Sequence, residues 1–160
     1  PYNRAVTDLN GLSRQGFLSK IGNSFALQAA PGAVTPTRPG EFGLYLSGCW
    51  YRLNIHPSLI PTHDPVARLD VSLLADRLLA PLLGIADIRR DKRIDFIGGI
   101  RGLAELEKRV DSGEMAAAFS LFPTRMEDLM AVADAGQVMP PKSTWFEPKL
   151  VDGLVSHVLD

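Results

Sequence analysis

The spacing of apolar residues changes several times along the 160-residue chain, and each change marks an element. Tyr2 to Leu9 alternates weakly and predicts a strand, closed by the turn pair Asn10-Gly11. Ser13 is placed to cap a helix in which Phe17, Leu18 and Ile21 share one face, and Gly22-Asn23 close it. Phe25 to Ala29 reads as a short strand. Five Pro and Gly residues between Ala30 and Glu41 predict an irregular surface loop. Phe42 to Leu46 and Trp50 to Ile55 then alternate on either side of Ser47-Gly48, the pattern of a β-hairpin.

A proline-rich loop, His56 to Pro65, precedes a helical pattern over Leu69 to Leu83, with Asp70 as its cap and Pro81 as its kink or end. After the charged run Asp87 to Arg93, Ile94 to Ile97 predicts a strand. Leu103 to Asp111 follows as a helix, with Leu103, Leu106 and Val110 inward and Glu105 and Arg109 paired outside. Met115 to Phe122 is almost wholly apolar, as in a strand buried on both faces. Thr124 and Glu127 predict a capping box for a helix that stops at Gly136. A polar loop from Met139 to Pro148 and a last strand, Leu154 to Leu159, complete the chain. Helices interspersed with strands predict one α/β or α+β domain over residues 1–160, a mixed β-sheet with about four helices and one β-hairpin.

Composition narrows the function. Hydrophobic residues at 46% and charged residues at 22% exclude a long disordered chain. A net charge of −1 speaks against strong nucleic-acid binding, which needs a surplus of Lys and Arg. There is no apolar stretch of about 18 residues to cross a bilayer. The single cysteine, Cys49, has no partner for an internal disulfide; it reads as an inert packed thiol and fits a reducing, cytoplasmic compartment. A chain that opens on Pro1 reads as part of a longer protein.

Three stretches carry candidate chemistry. Gly98 and Gly99, between a strand and a helix, form the kind of turn whose backbone N–H groups hold an anion. Arg101 adds a charged fork, and Asp95 is placed to hold a metal or to orient Arg101. Lys142, Ser143 and Thr144, in a segment stiffened by Pro140 and Pro141, offer an ammonium and two hydroxyls to a phosphate. The run Arg89 to Arg93 can guide an anion toward the glycine turn, or be a solvated surface. His56, His63 and Asp64 match no common zinc spacing, so no metal is expected, and His157 reads as facing solvent or a loop. No motif assigns a cofactor.

Four segments carry a resemblance. They are Tyr2 to Leu12, Leu69-Asp70-Val71, Arg93 to Gly102, and Met139 to Leu150, which reads Met-Pro-Pro-Lys-Ser-Thr-Trp-Phe-Glu-Pro-Lys-Leu. Together they resemble the C-terminal half of a bacterial family known as the domain of unknown function numbered 1015. Its members carry an Ala-Asp-Gly-His-His-Arg segment in an N-terminal half, which this chain lacks, and are often labelled ParB-like. That segment is similar to a superfamily that includes nucleotide-binding proteins and a free-serine kinase. The resemblance implies phosphate-ester or nucleotide chemistry near serine metabolism, with the N-terminal half and a small phosphorylated metabolite or nucleotide as partners. The alternative is a non-catalytic module that packs on that half or forms a homodimer.

Overall fold

The computed structural model describes residues 1–144. Trp145 to Lys149, the strand expected at Leu154 to Leu159, and His157 lie outside the described residues. The elements run β1 (Tyr2–Val6), α1 (Arg14–Ile21), β2 (Phe25–Ala30), β3 (Glu41–Leu46) and β4 (Cys49–Ile55). They continue with α2 (Asp70–Leu74), α3 (Ala80–Leu83), β5 (Ile94–Gly98), α4 (Gly102–Asp111), β6 (Ala117–Leu121) and α5 (Met126–Asp134). A wide π-helical turn, Ala75–Leu79, joins α2 to α3, so these make one bent helix that ends at left-handed Gly84. Pro81 does not stop that helix. The widened turn just before it accommodates the missing N–H.

The six strands form one sheet in the order β2-β4-β3-β6-β1-β5. The class is α+β, as expected, and each pairing among the described residues is antiparallel. β5 and β6 run in the same direction, joined by α4. Strand β1 lies between them and is antiparallel to both, which makes a split β-α-β unit. The β3–β4 hairpin turns on Ser47 at φ 49° and Gly48 at φ 79°, as a two-residue turn in a twisted ribbon requires.

Alternation along the strands divides the core between the two faces. On one face, Val6, Phe42, Leu44, Leu46, Phe119 and Leu121 pack with Phe17 of α1, Leu73, Leu74 and Leu78 of the bent helix, and Val132 of α5. On the other, Ala5, Tyr45, Trp50 and Ala118 pack with Leu106 and Val110 of α4. Both faces are covered, which is why β6 is fully buried and apolar but for Ser120. The loop from Ala30 to Glu41 is tied down where the composition suggests freedom. Val34 and Pro36 are buried, Ser120 Oγ donates to Val34 O at 2.7 Å, and Thr37 Oγ1 donates to Glu41 Oε2 at 2.9 Å. Among the described residues no helix is long and apolar enough to cross a membrane.

Candidate functional site

Register places several loops at one end of the sheet. Tyr2 pairs with Gly98, Arg4 with Phe119, Phe42 with Leu121, and Glu41 with Asn54. The start of β1, the end of β5, the end of β6 and the start of β3 therefore lie along a single edge. Strands are about 4.8 Å apart, so the glycine turn after β5 is about 10 Å along that edge from the end of β6. Helices α4 and α5 both begin there, and their first N–H groups and dipoles favour negative charge.

A cleft of about 240 Å³ opens at the ends of β3 and β6. Gly40, Arg68, Asp70, Thr124, Arg125 and Asp128 line it, with Phe122 and Leu73 as apolar walls. A second cleft of about 140 Å³, lined by Tyr2, Met126, Ser143 and Thr144, shares Pro123 and Thr124 with the first. Thr124 Oγ1 donates to Ser143 O at 3.1 Å, so one side chain joins the two clefts.

The capping box expected at Thr124 and Glu127 lies one residue further on. Arg125 N donates to Asp128 Oδ2 at 3.2 Å, and Arg125 stands at the N-cap. A guanidinium cannot accept a hydrogen bond, so only this half of the box exists. Thr124 is thereby left to face the clefts. Asp70 does not cap its helix either. Leu69 is the N-cap, and Asp70 Oδ1 instead accepts the N–H of Gly40 at 2.8 Å. Asp70 Oδ2 is buried with no hydrogen-bond partner among the described residues. Burial pushes the Asp70 carboxyl up to about 7, against the opposing Gly40 N–H; Asp128 adds to the rise and Arg125 reduces it.

The residues read from the sequence fall in different places. Ser143 is buried and, with Thr144, lines the smaller cleft. Lys142 adopts φ 57°, its carbonyl accepts from Arg4 Nη2 at 2.7 Å, and its ammonium stands 5.8 Å from the Phe96 ring. Arg4 is the anchor of this segment. It is buried on β1, bonded also to Tyr2 O and stacked 4.8 Å from the Phe96 ring centroid, and burial lowers its guanidinium to about 10.

Asp95 points to the other face of the sheet and is held by Arg109 of α4 at 2.5 Å. Burial alone would raise its carboxyl, but hydrogen bonds from Arg109 and from the Phe96 N–H bring it below the usual range. Asp95 makes no hydrogen bond to Arg101, although the nearby Arg101 guanidinium adds to the lowering of its carboxyl. Arg109 bridges Asp95 and Glu114, not Glu105. Gly99 serves packing: its N–H donates to Pro1 O at 2.8 Å, and a Cβ would come within 2.6 Å of the Pro1 ring. Gly98 is buried at the end of β5, and Arg101 is exposed beside it. The charged run is self-paired, Arg89 and Arg90 with Asp87 and Arg93 with Asp91. Cys49 is exposed, at the start of β4 beside the hairpin turn, and not packed. Among the described residues no group of three His, Cys, Asp or Glu side chains is placed to hold a metal ion.

Most arginines in residues 1–144 are committed to a carboxylate, a carbonyl, an amide or a hydroxyl. Two guanidinium groups, those of Arg68 and Arg101, make neither a hydrogen bond nor an ion pair among the described residues, and both stand at the edge just described. Sequence reading missed Arg68, Asp70, Thr124 and Arg125 as site residues. Each looked like a helix-start or loop residue, and only the pairing of β3 with β6 brings them together.

Residues 1–72 match the family model described as protein of unknown function (DUF1015). Tyr2 to Leu12 and Leu69 to Val71 fall inside that range; the two later segments of the resemblance fall outside it. No curated protein and no solved structure matches the chain.

Proposed function

We propose that this chain holds a small acidic metabolite, a phosphate ester, at the edge where β1 and β3 begin and β5 and β6 end, and that it does so as part of an enzyme acting on that metabolite. The observation that carries the reading is the pair of uncommitted guanidiniums, Arg68 and Arg101, on the edge where α4 and α5 also begin. Lys142, Ser143 and Thr144 add an ammonium and hydroxyls on the same edge, and Gly98 and Gly99 shape the turn that carries Arg101. Positive charge and donors without protein partners suit an anion whose own charge completes them. The larger cleft is smaller than the roughly 300 Å³ at which drug-sized sites begin, which favours a small ester over a whole nucleotide.

The resemblance supplies the finer content. In this reading the chain is the C-terminal half of a ParB-like protein, the other half completes the site, and the reaction is phosphoryl transfer near serine metabolism. Such transfer rests on positioning and charge stabilisation, which Arg, Lys and backbone N–H groups provide. Calorimetry of the intact protein with O-phosphoserine, ATP and ADP tests this. Heat with O-phosphoserine, weakened by Arg68→Ala or Arg101→Ala, is the expected result. Absence of heat with all three ligands contradicts the reading.

One observation favours a second reading, in which this edge is a packing surface. Ile100, Met126 and Met130 are 72%, 67% and 60% exposed, and the first two stand at the starts of α4 and α5. A module that docks there would cover them. Light scattering that finds the isolated chain monomeric at high concentration, with no binding of a hydrophobic dye, contradicts docking.

A further inference from the structure

We propose that Asp70 Oδ2 accepts a hydrogen bond from the ligand itself, so that the ligand carries an ammonium or hydroxyl group beside its anionic group. This rests on the anion-holding reading above and names the class of molecule that fits it.

Asp70 is committed on one side only. Oδ1 takes the Gly40 N–H, whereas Oδ2 is buried and unpartnered in the wall of a cleft rich in donors. A buried acceptor without a donor costs about 1–3 kcal/mol, and more when charged, so its presence needs a reason. The protein's own cations do not meet it. Arg125 is spent on Asp128 and Glu127, and Arg68 makes no side-chain bond among the described residues. Gly40 N from the loop before β3 and Arg125 and Asp128 from the start of α5 act on Asp70, and Arg68 from the turn before α2 and Thr124 line the same cleft. A ligand donor is the one partner that this set lacks. An anionic group on the same ligand would meet Arg68. The carboxyl titrates near neutrality, so an ammonium placed against it drives off its proton, whereas a hydroxyl does not require that loss.

Titration calorimetry of the full chain with phosphoethanolamine, glycerol 3-phosphate and inorganic phosphate separates the cases. It is run at pH 6.5 in two buffers of different ionisation heat, so that proton release is measured directly. One of the two donor-bearing esters is expected to bind at least about tenfold more tightly than inorganic phosphate. Proton release with phosphoethanolamine identifies the ammonium; a preference for glycerol 3-phosphate without release identifies the hydroxyl. Asp70→Asn keeps an acceptor for Gly40 and is expected to abolish both the preference and the release. Its retained binding of inorganic phosphate shows that it is folded. Equal binding of all three ligands, unchanged by Asp70→Asn and weakened by Arg68→Ala, overturns the role of Asp70 and leaves the anion site standing. Binding of none of them overturns both.

Discussion

Asp70 accepts the Gly40 N–H with one carboxyl oxygen at 2.8 Å and keeps the other buried, without a donor among the described residues. This contact ties the first turn of α2 to the loop that enters β3. It also links stability to pH. The carboxyl sits at about 7 in the folded chain against an ordinary 3.8, so the folded state binds this proton more tightly than the unfolded state does. Its contribution is complete below pH 3.8 and is lost as pH rises to about 7. Asp70→Asn mimics the protonated form. It is expected to stabilise the protein by about 1–3 kcal/mol at pH 8 and to give no gain at pH 3.5. Denaturant melts at the two pH values check this, and equal effects at both would contradict it.

Arg68 is exposed and its guanidinium bonds nothing among the described residues, so Arg68→Ala is expected to change stability by less than about 0.5 kcal/mol. The same substitution is expected to weaken phosphate-ester binding at least about tenfold, since a charge-assisted contact is lost. Parallel melts and titrations read the two effects separately.

Arg4 carries a different burden. It joins β1 to the Lys142 carbonyl and packs on Phe96 while fully buried. Lys cannot reproduce a planar fork that bonds two carbonyls while stacked on a ring. Arg4→Lys is expected to cost about 2–3 kcal/mol and to release the Lys142–Thr144 segment. Faster hydrogen exchange at Ser143 and Thr144 is the specific readout; unchanged exchange there would contradict the anchoring role.

Gly43 lies in the middle of β3, under the hydrogen bond from Ser120 to Val34 O. A Cβ would come within 2.8 Å of Val34 O and 3.0 Å of the Trp50 ring. Gly43→Ala is expected to cost about 1–3 kcal/mol by overpacking. Ser120→Ala in the same chain is expected to restore part of it, as a denaturant melt of the double variant would show.

The elements set by neighbouring residues were legible in the sequence. Ser13 caps α1 through its bond to Gly16 N, Ser47-Gly48 turns the hairpin, and the apolar run ending at Leu121 is a strand buried on both faces. What depends on distant residues was not. Nothing local tells β1 to insert between β5 and β6, and that insertion makes both of its pairings antiparallel. The site shows the same limit. Gly40, Asp70 and Thr124 come from three separate stretches, and each has a local explanation as a turn or cap residue. Ser143 and Thr144 stood out because a stiff segment carries them; Asp70 did not, because its partner is thirty residues upstream.

The central claim is that the acidic ligand sits where β3 begins and β6 ends. Amide chemical shifts of the chain, recorded while glycerol 3-phosphate is added, test it most directly. The account predicts changes concentrated at Gly40, Arg68, Thr124, Arg125 and Ser143. A spectrum that does not move, or one that moves only at residues remote from this edge such as Ser47 and Gly48, would contradict it.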